Sequence, residues 1–127
     1  MADGPPENRP LVLIVEDEPL IRWNAETALA QAGFAVLSAA SADEALVLLE
    51  SRSDIGVVFS DVAMPGSHDG ATLVVLVRMR WPPIGIVLTS GHDRHLPTSL
   101  TERARFISKP YRDIDLVEAI AYVLPAQ

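Results

Sequence analysis

"IGVVFSDVAMPGSHDG", Ile55–Gly70, is the stretch whose reading decides the fold. Ile55–Ser60 has the length and β-branched content of a strand, and its apolar residues run on without alternation. Such a run suits a strand covered on both faces, as in the interior of a parallel sheet. It ends on a carboxylate, Asp61, and then passes into turn chemistry through Pro65, Gly66, Asp69 and Gly70. An acid in that position is either a solvated strand terminus or a group placed to react.

Working outward, four further runs share the pattern: Leu11–Val15, Phe34–Ala39, Ile84–Thr89 and Ala104–Ser108. Helical patterns separate them. Glu18–Ala32 carries an apolar stripe at Ile21, Ala25, Ala28, Leu29 and Ala32, with Gly33 placed to stop it. Ser41–Ser51 opens on "SADE", where Ser41 and Glu44 fit a capping box. Ala71–Trp81 ends before Pro82–Pro83, and Arg112–Leu124 sets Leu116, Val117, Ile120 and Leu124 on one face. His92–Glu102 is poor, interrupted by Pro97, and is expected to be short or irregular. Strict alternation of strand and helix predicts an α/β fold, a doubly wound parallel sheet of five strands with right-handed crossovers.

Composition narrows the function classes. The chain has 127 residues, 49% of them hydrophobic and 21% charged. That length fits one domain with one core. We expect a disordered polar tail over residues 1–9 and a single domain over residues 10–127, with no output domain after the last helix. A net charge of -7 argues against nucleic acid or an anionic membrane as a partner. With no cysteine there is no disulfide framework, thiolate metal site or thiol nucleophile. "MADGPPENRP" lacks the apolar core of a signal peptide, and no apolar run is long enough to span a bilayer, so a cytoplasmic protein is expected.

In a doubly wound sheet, ligands sit beyond the carboxyl ends of the strands. There the first run is followed by Glu16-Asp17-Glu18, the third by Asp61, the fourth ends in Thr89 before Ser90-Gly91, and the fifth is followed by Lys109-Pro110. Taken singly, each has an ordinary explanation: Glu16 and Asp17 as helix caps, Asp61 as a turn former, Thr89 as a last strand residue, Lys109 as a solvated lysine. Together they bring acids, a hydroxyl and an ammonium to one sheet edge. Clustered carboxylates repel one another unless a cation neutralises them, and an all-oxygen donor set favours Mg²⁺. An ionised aspartate kept in that state can attack a phosphoryl group, whose oxygens Mg²⁺, Lys109 and Thr89 would meet.

These residues resemble the receiver domain of two-component response regulators over Leu11–Leu124. "VEDE" follows the first strand, "DVAMPGSHDG" the third, "LTSG" the fourth and "KPY" the fifth. The resemblance implies a flavodoxin-like fold with strand order 2-1-3-4-5. It makes Asp61 the phosphoacceptor and gives Mg²⁺ to Glu16, Asp17, Asp61 and the backbone carbonyl of Ala63. It makes Thr89 the switch hydroxyl, Lys109 the phosphate-contacting lysine and Phe106 the switch aromatic. It also implies a cis peptide before Pro110. The loop after Asp61 is one residue longer than usual, through Ser67 and His68. With "RWPP" and "LTSGH", it looks most like stand-alone receivers of alphaproteobacterial signalling.

The function so implied is a phosphorylation switch, fed by a histidine kinase or histidine phosphotransferase and acting through protein contacts. It is not an enzyme beyond its own phosphorylation and dephosphorylation. Trp23, opposite Ala25 and Leu29 on the helical wheel, is expected to be exposed on the helix that meets such a partner. A homodimer through the last two helices is a further partner the pattern admits. His68, His92 and His95 lack the spacing of a zinc site. A flavodoxin-like nucleotide binder would need a Gly- or Ser/Thr-rich loop where "VEDEPL" stands, and a phosphohydrolase would want an acid where Ala63 stands. A degenerate receiver that only docks proteins would not carry all five site residues.

Overall fold

The computed structural model describes residues 11–62, 69–91 and 103–124. The tail, the loop holding Ala63, Ser67 and His68, and the weak helical stretch with His92 and His95 lie outside the described residues. Among those described, β1 (Leu11–Val15), β2 (Ala35–Ala39), β3 (Ile55–Asp61), β4 (Gly85–Ser90) and β5 (Ala104–Ser108) form one sheet in the order β2-β1-β3-β4-β5. All pairings are parallel. Four helices accompany it: α1 (Pro19–Gln31), α2 (Ala42–Ser51), α3 (Gly70–Arg80) and α4 (Asp113–Val123).

Successive strand residues feed opposite layers, which is why the apolar runs do not alternate. Leu13, Val58, Ile86 and Leu88 pack with Ala45 and Leu49 of α2 and Leu73, Val74 and Val77 of α3. Val12, Ile14, Val57, Phe59 and Val87 pack with Ala25 and Leu29 of α1 and Leu116, Ile120 and Val123 of α4. Two separate layers thus cover one sheet.

Local chemistry sets the helix ends. α1 stops in a Schellman arrangement: Phe34 N–H donates to Leu29 O and Gly33 N–H to Ala30 O, with Gly33 at φ +99°. At α2, Glu44 N–H donates to Ser41 Oγ at 3.1 Å. The return bond to Glu44 Oε1 comes from Ala40 N–H rather than from Ser41, a one-residue variant of the capping box. Asp69 caps α3 by accepting from Thr72 N–H at 2.8 Å. No helix among the described residues is long and apolar enough to cross a membrane.

Candidate functional site

Parallel pairing brings the strand exits level. Asp61 lies opposite Thr89, and Ser90 opposite Ser108, one residue before Lys109. Three backbone bonds lock this edge. Val62 N–H donates to Thr89 O at 2.9 Å, Lys109 N–H to Ser90 O at 3.0 Å, and Glu16 N–H to Ala39 O at 3.0 Å. The Lys109–Pro110 peptide is cis. On the far side, α3 starts directly against the acid. A Cβ on Gly70 would fall 1.8 Å from the Asp61 carbonyl oxygen, so only glycine fits there.

The side chains meet around Lys109. Its Nζ is 2.5 Å from Asp61 Oδ2 and 3.6 Å from Glu16 Oε1. Glu16 and Asp61 are both buried, at 4% and 8% exposure. Burial drives the Glu16 carboxyl above its ordinary range; the Glu18 N–H and Lys109 pull it back, and the charges of Asp61 and Asp17 push it up again. Burial alone would lower Lys109. Its bond to Asp61 and the nearby Glu16 charge outweigh that and raise it, keeping the ammonium charged.

Thr89 is the exception in this network. It is 1% exposed, and its Oγ1 is the one buried side-chain polar atom among the described residues with no hydrogen-bond partner. An unmet buried hydroxyl costs roughly 1–3 kcal/mol. It stands one strand over from Asp61. Phe106 pairs with Leu88, the residue before Thr89, and is half-buried, with part of it packed against the α2–α3 layer.

The arrangement thus joins Glu16, Asp61, Thr89 and Lys109. Asp17 is exposed and acts on Glu16 as a like charge, and Ala63 lies outside the described residues. Among the described residues, no three His, Asp or Glu side chains are grouped to hold a metal ion as they stand. The donor chemistry nonetheless fits a hard divalent cation, because Glu16 and Asp61 oxygens already face one shared positive charge, the Lys109 ammonium.

Three features had no signal of their own in the sequence. Arg22 donates from Nη1 to Glu16 O at 2.9 Å. Tyr111 stacks edge-to-face on Phe59, with ring centroids 5.8 Å apart. Its hydroxyl is pushed up to about 12 by burial and by the charges of Glu16, Asp61 and Asp113. The third is a cleft of about 520 Å³ between α1 and the turn leading into α4, lined by Ile21, Ala25 and Ala28 on one side and Lys109, Pro110 and Tyr111 on the other. Leu20 and Trp23 of α1 are 64% and 60% exposed.

Residues 12–121 match the family model of the response regulator receiver domain. The DNA-binding transcriptional regulator NtrC of Salmonella typhimurium is 35% identical over 118 residues, covering 91% of this chain and 24% of NtrC. The chain therefore spans about a quarter of that relative's length. A response regulator receiver protein from Sinorhizobium medicae superposes with a TM-score of 0.83 at 26% identity, covering 91% of this chain and 94% of that one. The response regulator TrrA of Thermotoga maritima, solved in complex with Mg(2+)-BeF, gives a TM-score of 0.78 at 26% identity, covering 91% of this chain and 99% of TrrA. Five parallel strands in this order, with acids, hydroxyl and lysine at their carboxyl ends, make the chain a member of the receiver-domain family of two-component response regulators.

Proposed function

We infer that this receiver accepts a phosphoryl group on Asp61 from the phosphohistidine of a histidine kinase or phosphotransferase, and that the modified form changes its protein contacts. The observation that carries this reading is the orphaned hydroxyl of Thr89 beside Asp61. A fold that leaves a buried donor unmet next to a buried carboxylate is prepared for an acceptor that arrives later. An Asp61 oxygen attacks phosphorus, the phosphorus–nitrogen bond of the donor breaks, and the histidine nitrogen leaves with the electron pair. Lys109 passes its donation from Asp61 to a phosphoryl oxygen, and Thr89 donates to another. That movement of Thr89 draws in Phe106, a two-state element biased by local charge.

Glu16, Asp17, Asp61 and the Ala63 carbonyl would hold Mg²⁺, which when bound neutralises the acids and the incoming phosphoryl oxygens. TrrA, a relative solved with Mg(2+)-BeF, supports that choice of cation. The partner's histidine enters over the cleft beside Lys109, with Leu20 and Trp23 of α1 as apolar anchors. A kinase donor makes the setting cytoplasmic, and a net charge of -7 favours protein over nucleic acid as the target.

Incubation with a small acyl phosphate and Mg²⁺, read by intact mass and peptide mapping, tests the reading. It predicts a single phosphoryl on the peptide containing Asp61 and none in Asp61→Asn. An adduct that persists in Asp61→Asn moves the acceptor elsewhere.

A further inference from the structure

α1 begins without the usual device. Its N-cap residue, Glu18, makes no side-chain capping bond, Pro19 stands in the first turn, and the first turn holds no acid. The turn between β1 and α1 is closed instead by two bonds that both involve Glu16. The Glu18 N–H donates to Glu16 Oε2 at 3.0 Å, and the Arg22 guanidinium, one turn into the helix, donates from Nη1 to the Glu16 carbonyl at 2.9 Å. Oε1 is the Glu16 oxygen that faces Lys109 and Asp61. Arg22 is half-buried, although Glu18 and Glu26 lie four residues away on either side of it. None of the described ion pairs includes it. Its described side-chain hydrogen bond goes to a neutral carbonyl at the root of the acid pair.

We propose that Arg22 is a positioning residue: it ties the Glu16 main chain to α1, and so aims the Glu16 and Asp17 carboxylates at the cation site. This rests on the Mg²⁺ reading above and adds the residue that orients its ligands. Two physical effects of Arg22 have opposite signs. As a positive charge at the rim of Glu16, Asp17 and Asp61 it repels an arriving cation, so neutralising it would tighten Mg²⁺ binding. As a clamp it preorganises the ligands, so removing it would loosen binding. Loss of a group that orients metal ligands typically weakens affinity about tenfold or more.

The sign decides the matter. Wild type, Arg22→Met and Arg22→Lys are titrated with MgCl₂ by calorimetry, and amide hydrogen exchange is measured on each in EDTA. The clamp predicts Mg²⁺ affinity about tenfold weaker in Arg22→Met, with partial rescue in Arg22→Lys, which keeps a donor and the charge. In EDTA it predicts faster exchange at the Glu18 amide in Arg22→Met, with the amides of β3 and β4 unchanged. Equal or tighter Mg²⁺ binding by Arg22→Met overturns the proposal. Should wild type itself bind no Mg²⁺, the metal reading fails separately. The exchange data then decide, and an unchanged Glu18 amide in Arg22→Met overturns the clamp.

Discussion

The two ends of the sheet are built on different terms. At the amino ends, polar groups are matched: the Arg103 guanidinium donates to the carbonyls of Pro82 and Pro83, and Arg78 donates to those of Pro82 and Arg103. Gly85 lets β4 start hard against α4, where a Cβ would fall 2.1 Å from Val123 O. At the carboxyl ends lie all of the buried polar residues among those described: Glu16, Ser60, Asp61, Thr89 and Ser90. One of them is left without a partner. The first end is optimised for stability. The second carries a cost in stability, the pattern found where function and stability compete.

Substitutions can separate the ends. The largest effect is expected from Ile86→Ala, in the fully buried lower half of β4. It should cost about 2–5 kcal/mol in urea unfolding through the cavity it leaves, with acyl phosphate labelling intact in the folded fraction. Next is Lys109→Ala, which removes the ammonium shared by the Glu16 and Asp61 carboxylates. Discounted for the part-exposed lysine, the loss should be roughly 1–3 kcal/mol at neutral pH. Added Mg²⁺ should recover part of it. Acidification should also help, because the Glu16 pKa is raised in the folded state: stability falls as pH rises through the window just above 4.5 and is regained as pH drops back. Denaturation midpoints against pH and Mg²⁺ check both.

Thr89→Val should move stability the other way. It removes the unmet hydroxyl while keeping shape, so the resting protein should gain about 1 kcal/mol while the phosphorylation-dependent change at Phe106 weakens. A loss of stability there would mean that the hydroxyl is satisfied after all. An effect of similar size but opposite sign belongs to the Asp69 cap of α3. Asp69→Ala should cost about 1 kcal/mol. The bond from Thr72 N–H holds the Asp69 pKa below its ordinary value, so its contribution is complete above about pH 4 and lost as pH falls through the depressed value. Wild type and Asp69→Ala should therefore converge in acid.

Much of this was legible before any coordinates, because the pattern was redundant. Five apolar runs, the Gly33 stop and the Ser41 cap each name an element on their own, and Leu11–Val15 and Ala104–Ser108 match β1 and β5 end to end. The gathering of Glu16, Asp61, Thr89 and Lys109 followed from strand exits alone. What stayed hidden depends on contacts that no spacing encodes. Gly70 reads as turn chemistry until its distance to the Asp61 carbonyl is known. Nothing in the spacing singles out Arg22, whose guanidinium donates to the Glu16 carbonyl. Tyr111 is only the end of "KPY" until it is seen stacked on Phe59.

The most direct measurement is a titration with beryllofluoride in the presence of Mg²⁺, followed by NMR at Asp61, Thr89, Phe106 and Lys109. All four should respond together in one saturable event, lost in Asp61→Asn, with the Thr89 hydroxyl acquiring slow exchange as it gains an acceptor. A response that spares Thr89, or one that survives in Asp61→Asn, would contradict it.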